Sequence, residues 1–227
     1  MLYFVATPIG NLKDITYRAV EVLNMVDEIA CEDTRHSLTL LNHYGIKKPL
    51  FSYHKFNELD CAEKIIAKLN SGLNIAVISD AGMPVISDPG NILCKMLKER
   101  GLEYTVVPGA NAALSALILS GLDADTFTFL GFLKGKESER KKFLEKYKSL
   151  DTTLIFYCAP HDVKKDIATI YSVLGDRVCV AVKEITKLYE SAITFNLKDG
   201  FPVEPKGEFV LIVEKGNAEN PLLEMTE

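Results

Sequence analysis

The feature that most constrains this chain is the alternation of short apolar runs with helical patterns through residues 1–120. Runs at 2–6, 28–31, 50–53, 75–78 and 104–107 read as strands. Between them lie helical patterns at 16–26, 37–44 and 92–99, and a further one in which Cys61, Ile65, Ile66 and Leu69 recur at helical spacing. Strands separated by helices are joined by crossovers, so the sheet is expected to be mostly parallel with helices on both faces. An Ala/Leu-rich helix at 110–120, ended by Gly121, closes this half. After the LDAD stretch at 122–125 the rhythm changes. A strand at 127–130, a basic helix, a strand at 153–157 and a helix at 163–174 are followed by strands at 178–182, 189–197 and 209–213. Consecutive strands without helices between them favour a mixed or antiparallel sheet. The prediction is two α/β domains, 1–122 with a mostly parallel sheet and 123–227 with a mixed one, and no internal repeat.

Composition excludes several classes. With 227 residues, 48% of them hydrophobic, the chain supports a sizeable core, and no apolar stretch approaches the length of a membrane span. The N-terminal MLYFVATPIG lacks the basic n-region and cleavage site of a signal peptide, which points to the cytoplasm. Cys31, Cys61, Cys94, Cys158 and Cys179 are odd in number and widely spaced, with no C-x-x-C pair, so buried thiols are expected rather than disulfides or a metal site. A net charge of −5 argues against a general nucleic-acid coat. One local exception is KGKESERKKFLEKYK at 134–148, with seven basic residues against three acidic ones. It is either a solvated helix face, supported by a Glu137–Lys141 pair, or part of an RNA track with Lys13 and Arg18.

In open α/β sheets ligands bind beyond the carboxyl ends of the strands, so the loops that follow strands are the informative ones. TPIGNL (7–12), SDAGMPVISDPG (79–90) and PGANAA (108–113) each follow a strand, and each combines Pro with Gly. None matches the dinucleotide fingerprint or the phosphate-binding P-loop, so a ligand here would be gripped by backbone and small side chains. In the middle loop Asp80 can accept hydrogen bonds from a ligand, Val85 and Ile86 can offer apolar contact, and Asp88 before Pro89 suits the N-cap of the next helix.

TPIGNLKDIT, CEDTRHS, SYHKFNE, ISDAGMPVISDPG and VVPGANAALSAL, in this order and spacing, resemble the ribosomal RNA small subunit methyltransferase I family of the tetrapyrrole methylase superfamily. The resemblance implies a tetrapyrrole-methylase-like fold, S-adenosyl-methionine bound in a cleft between two α/β domains, and a homodimer. It implies methyl transfer to the 2′-hydroxyl of a cytidine in the decoding region of small-subunit ribosomal RNA, with no role for DNA or a membrane. The cofactor contacts it implies are Pro8, Ala81, Gly82, Met83, Ile86, Asn111, Ala112, Cys158 and Ile185, with Asp80 beside them. Where the superfamily's small-molecule enzymes have Gly-Asp-Pro, this chain has Gly82-Met83-Pro84, which sets it on the RNA-modifying branch. Family members commonly continue past the strand equivalent to GEFVLIVEKG into a short helical appendage. This chain stops at Glu227 with the acidic NAENPLLEMTE, expected to be frayed and unable to replace such an appendage in gripping RNA.

Methyl transfer from a sulfonium needs no metal, and alignment can supply roughly 7 to 11 kcal/mol of the barrier. A base that takes the hydroxyl proton adds about 10² to 10⁴-fold. Asp33, Arg35 and His54 follow the second and third strands and are expected to line the acceptor site. Glu32 is a further proton acceptor, and Arg35 binds a phosphate or fixes Asp33. Asn57 and Glu58 either contact the substrate or cap the helix that begins there. Two other readings compete: a methyltransferase acting on a tetrapyrrole, and an RNA-binding assembly factor that keeps the cofactor pocket without turnover.

Overall fold

The computed structural model describes residues 1–216, so the acidic ending at 217–227 lies outside the described residues. The chain divides into two compact units, 1–111 and 112–227. In the first, β1 (Leu2–Val5), β2 (Glu28–Cys31), β3 (Leu50–Ser52), β4 (Ile75–Ile78) and β5 (Tyr104–Val107) form one sheet in the order β3-β2-β4-β1-β5. All its pairings are parallel. The crossover helices are α1 (Tyr17–Met25), α2 (Thr34–His43), α3 (Glu58–Asn70) and α4 (Asn91–Glu99).

Side chains alternate between two cores, as the two-residue strand period requires. Leu2, Phe4, Ile75 and Val77 pack with Ile65, Ile66, Leu93 and Leu97 of α3 and α4. Val5, Ile29, Ala76 and Ile78 pack with Ala19, Leu23 and Leu41 of α1 and α2. The crossovers β1–β2 and β2–β3, which run toward one edge of the sheet, thus occupy one face, and β3–β4 and β4–β5, which run back toward the other edge, cover the opposite face. The direction of winding reverses between the neighbours β4 and β1, a switch point of the kind where ligands bind.

The second unit begins with α5 (Ala112–Ser120) and a sheet in the order β6-β7-β10-β8-β9, made of β6 (Phe127–Phe132), β7 (Thr153–Cys158), β8 (Val178–Lys183), β9 (Ser191–Asn196) and β10 (Phe209–Val213). Only β6–β7 is parallel, with a register shift between Phe129 and Gly131; the remaining pairings are antiparallel. One face packs against α6 (Glu137–Leu144) and α7 (Val163–Leu174), through Leu144, Ile167 and Ile170 on Leu154, Phe156 and Leu211. On β7, β8 and β10 also packs α5, with Ala113, Ala116 and Leu117 buried. The sequence rhythm assigned this helix to the first half and the division to residue 122. The helix instead packs on the second sheet, and the units part between Asn111 and Ala112. Periodicity identifies a helix but not the sheet it covers.

Basic segment 134–148 is helical only over Glu137–Leu144 and continues as a short 3-10 turn at Glu145–Tyr147. Glu137 and Lys141 form the expected pair at 2.7 Å. Arg140, however, is only 7% exposed, so it is withdrawn from any track on the surface. Its guanidinium pairs with Asp166 of α7, approaches Asp162 at 3.8 Å, and donates from Nε to the Gly135 carbonyl at 3.0 Å.

Candidate functional site

Three loops leave the carboxyl ends of β1, β4 and β5 and are laced together by backbone. Thr7 and Gly82 exchange two hydrogen bonds, Thr7 N–H to Gly82 O at 2.9 Å and Gly82 N–H to Thr7 O at 3.1 Å. The Thr7 hydroxyl donates to Ser79 O at 3.1 Å, and Ala6 N–H donates to Val107 O at 3.0 Å. Glycine is required where these loops touch. A Cβ on Gly82, whose φ is +78°, would lie 3.2 Å from Ile9 Cγ2 and 3.7 Å from Ala110 O. One on Gly109 would lie 2.9 Å from Ala6 Cβ. Bare backbone at Gly82 therefore stands between the first loop and the third, and no phosphate-binding side chain is built into it.

Around this junction Pro8 is buried, Met83 and Asn111 are half-buried, and Ala81 and Ile86 are exposed. Asp80, placed among the cofactor contacts by the sequence, accepts a hydrogen bond from Asp33 N–H at 3.3 Å and so ties the loop after β4 to the loop after β2. Val85 has its backbone at φ +76°, a conformation costly for a β-branched residue, and Ser87 is at +69°. The Val85 side chain packs toward the α3/α4 core and does not join Ile86 as an outward apolar contact.

Asp88 is not the helix cap that its place before Pro89 suggests. The cap residue of α4 is Gly90, with φ +137° and no side-chain bond of its own. Glu58 at the start of α3 supplies the missing acceptor: its Oε1 receives Gly90 N–H at 2.8 Å and Ile92 N–H at 3.2 Å. A carboxylate at that helix start is doubly favoured, by the orphan donors and by the helix dipole. Asp88 is left half-buried beside other acids, and burial first, then Glu32, with a smaller contribution from Asp80, push its carboxyl up to about 6, against a Ser79 hydrogen bond that lowers it. Sequence reasoning missed Asp88 as a titrating group because Glu58, which displaces it, lies thirty-two positions from Gly90. Burial also raises Glu32, with Asp80 adding to the shift and His54 opposing it.

Asp33, Arg35 and His54 occupy neighbouring strand ends. Strands β2 and β3 pair with Cys31 opposite Ser52, and Tyr53 N–H donates to Cys31 O at 2.8 Å. Asp33 is the N-cap of α2, so that helix starts three residues earlier than its apolar periodicity suggests. Its Oδ1 accepts Arg35 N–H at 2.8 Å and His36 N–H at 3.5 Å. The Arg35 backbone bond, then its side chain, hold the Asp33 carboxyl below the usual range, which makes it a weak base. Arg35 pairs with Asp33 at 3.4 Å while 89% of its side chain stays exposed. His54 is half-buried, and its Nδ1 is buried without a hydrogen-bond partner.

Asn57 is the N-cap residue of α3 but its side chain makes no bond to that helix: its Oδ1 accepts His54 N–H at 2.8 Å and its Nδ2 donates to Ser52 O at 3.1 Å. In the second unit, Ala112 opens α5, and Ile185 is buried between Glu184 and Thr186, both at positive φ. The Cys158 thiol is buried and faces Asp166 Oδ2 at 3.3 Å; burial and that carboxylate raise its pKa, so it is an inert thiol. Among the described residues no group of three or more His, Cys, Asp or Glu side chains is arranged to hold a metal ion, and no helix is long and apolar enough to cross a membrane.

A parallel sheet with a ligand-facing switch point, followed by a mixed sheet, is the fold of the tetrapyrrole methylases. The model of the family described as Tetrapyrrole (Corrin/Porphyrin) Methylases matches residues 1–199. Solved structures agree: the methyltransferase CobJ superposes with a TM-score of 0.72 at 17% identity, covering 94% of this chain and 93% of its own. Diphthine synthase also reaches 0.72, at 14% identity, over 94% of this chain and 89% of its own. At such identities the likeness shows the fold.

Sequence relatives narrow the assignment. Ribosomal RNA small subunit methyltransferase I of Haemophilus influenzae is 48% identical, over 94% of this chain and 78% of its own length. The Bacillus subtilis protein of that name is 46% identical over 96% and 76%, and the Mycoplasmopsis pulmonis one 45% identical over 93% and 96%. The chain belongs to the ribosomal RNA small subunit methyltransferase I family, whose members differ in how far they extend beyond the shared region.

Proposed function

We propose that the protein transfers a methyl group from S-adenosyl-methionine to the 2′-hydroxyl of a cytidine ribose in the decoding region of small-subunit ribosomal RNA, acting as a cytoplasmic homodimer. The observation that carries this reading is the 48% identity, over 94% of the chain, to a relative named for methylating that RNA. The three-loop junction supports the cofactor. Gly82 lets the bare backbone of the loop after β4 close against Ile9 and Ala110 of the other two loops, and loops built of backbone and small side chains suit a ligand with a sulfonium and no phosphate. The contacts proposed for it are Pro8, Asp80, Ala81, Gly82, Met83, Ile86, Asn111, Ala112, Cys158 and Ile185. When bound, S-adenosyl-methionine supplies an electrophilic methyl group.

The residues after β2 and β3 handle the acceptor. Asp33 keeps Arg35 and the start of α2 in place. Arg35, with most of its side chain in solvent, meets a phosphate of the RNA. His54 takes the proton of the 2′-hydroxyl as the new carbon–oxygen bond forms and the bond from methyl to sulfur breaks. The outer face of α5, where Leu114, Ile118 and Leu119 are 46%, 78% and 43% exposed, supports association of two copies.

The experiment is incubation with labelled S-adenosyl-methionine and undermethylated small subunits, followed by mapping of the label. Label on a ribose of the decoding region is expected. Label on a base overturns the reaction, and label on a tetrapyrrole with none on RNA overturns the substrate.

A further inference from the structure

The turn after β3 closes on itself. His54 O accepts Asn57 N–H at 3.0 Å, and Asn57 Oδ1 accepts His54 N–H at 2.8 Å, so both ends of the four-residue turn are fixed. At its tip stand Lys55, exposed, and Phe56, which is 95% exposed. The nearest ring is His54, edge-on with centroids 6.1 Å apart. A side chain with no polar atom is thus held out in water by a rigid turn, at the ligand-facing end of the sheet. The first turn of α2, which follows the neighbouring strand, adds Arg35 and His36, both exposed. Lys55 next to a bare ring, with Arg35 at the start of α2, matches a strand that offers phosphates and flat bases in alternation, and single-stranded RNA is recognised by stacking its unpaired bases on aromatic side chains.

We infer that Phe56 is the stacking platform for an unpaired base of the RNA substrate, with Lys55 and Arg35 on the flanking phosphates. This rests on the RNA-methylating reading and names the residue that would grip its substrate. A turn held at both ends loses little freedom when a base lands on it, so the ring is organised for binding beforehand.

The chain contains no tryptophan, so Phe56→Trp places a lone indole at the tip of the turn. An unstructured RNA of about 12 nucleotides is expected to quench its emission at saturation, and an abasic ribose-phosphate oligomer of the same length is expected to leave it unchanged. In steady-state methylation of small subunits, Phe56→Ala should raise the KM for the subunit about tenfold with kcat and the S-adenosyl-methionine Kd unchanged, and Phe56→Trp should restore it. Unaltered KM in Phe56→Ala overturns the stacking role while an active wild type leaves the methylation reading intact. Equal quenching by the abasic oligomer overturns it in favour of binding through phosphates alone. Emission that shifts with protein concentration in the absence of RNA overturns it in favour of a second copy of the chain. A wild type that methylates no RNA overturns both.

Discussion

Asp88 shows how much of the site depends on which residue reaches a backbone donor first. Its carboxyl is raised to about 6 by burial and by Glu32 and Asp80, so the folded state binds its proton more tightly than the unfolded chain does. The sign follows: the group contributes stability below about pH 4, and this is lost as the pH rises through about 6. Asp88→Asn should therefore be more stable than wild type at pH 7.5, by about 1 kcal/mol after solvent screening of a partly exposed group, and unfold at a higher temperature, with the difference vanishing near pH 4. Thermal melts at both pH values check this; equal melts at pH 7.5 rule out a strained carboxylate. His54→Ala, with cofactor binding verified by calorimetry, should slow single-turnover methylation by about 10² to 10⁴-fold, and a wild-type rate removes it from the mechanism. Gly82→Ala, which places a methyl group 3.2 Å from Ile9 Cγ2 at a positive φ, should weaken S-adenosyl-methionine binding by at least about tenfold in the same calorimetry.

At the level of elements, caps and buried pairs do what periodicity cannot reveal. Glu58 joins α3 to α4 by accepting the first free N–H groups of α4, so Glu58→Ala should lower stability by about 1 to 2 kcal/mol in urea unfolding. Glu58→Gln, which keeps an acceptor oxygen, should lose less. Arg140 binds α6 to α7 through Asp166, and removing one partner leaves the other charge buried. Arg140→Ala should cost about 3 to 5 kcal/mol. The elements themselves were legible in the sequence: β2, β4, β5, α7 and β10 fall where apolar pattern and turn residues put them, and for β2, β4 and β10 burial on both faces demands it. The partners of Arg140 and Asp88 were not legible, since a charge in a basic or acidic run looks the same whether it faces water or a buried counterpart.

On the whole-molecule scale, the basic face is tested by salt. With Arg140 buried, Lys141 and the exposed Lys142 remain on α6, and a Lys141→Glu, Lys142→Glu variant should flatten the plot of log RNA affinity against log salt by about 0.7 for each phosphate it no longer neutralises. An unchanged slope takes the helix off the RNA path. What residue order determined here was the alternation that makes a parallel sheet, and the three Pro- and Gly-containing loops after β1, β4 and β5 that a doubly wound topology brings to one edge. Those are local patterns acting through a chirality rule that admits few arrangements. The tertiary structure alone decided that α5 belongs to the second sheet, that Glu58 and not Asp88 caps α4, and that Phe56 stands bare in water. Each of these depends on packing or hydrogen bonding between residues far apart in sequence, or on the hold of a turn upon its own tip, and neither spacing nor composition encodes such distances.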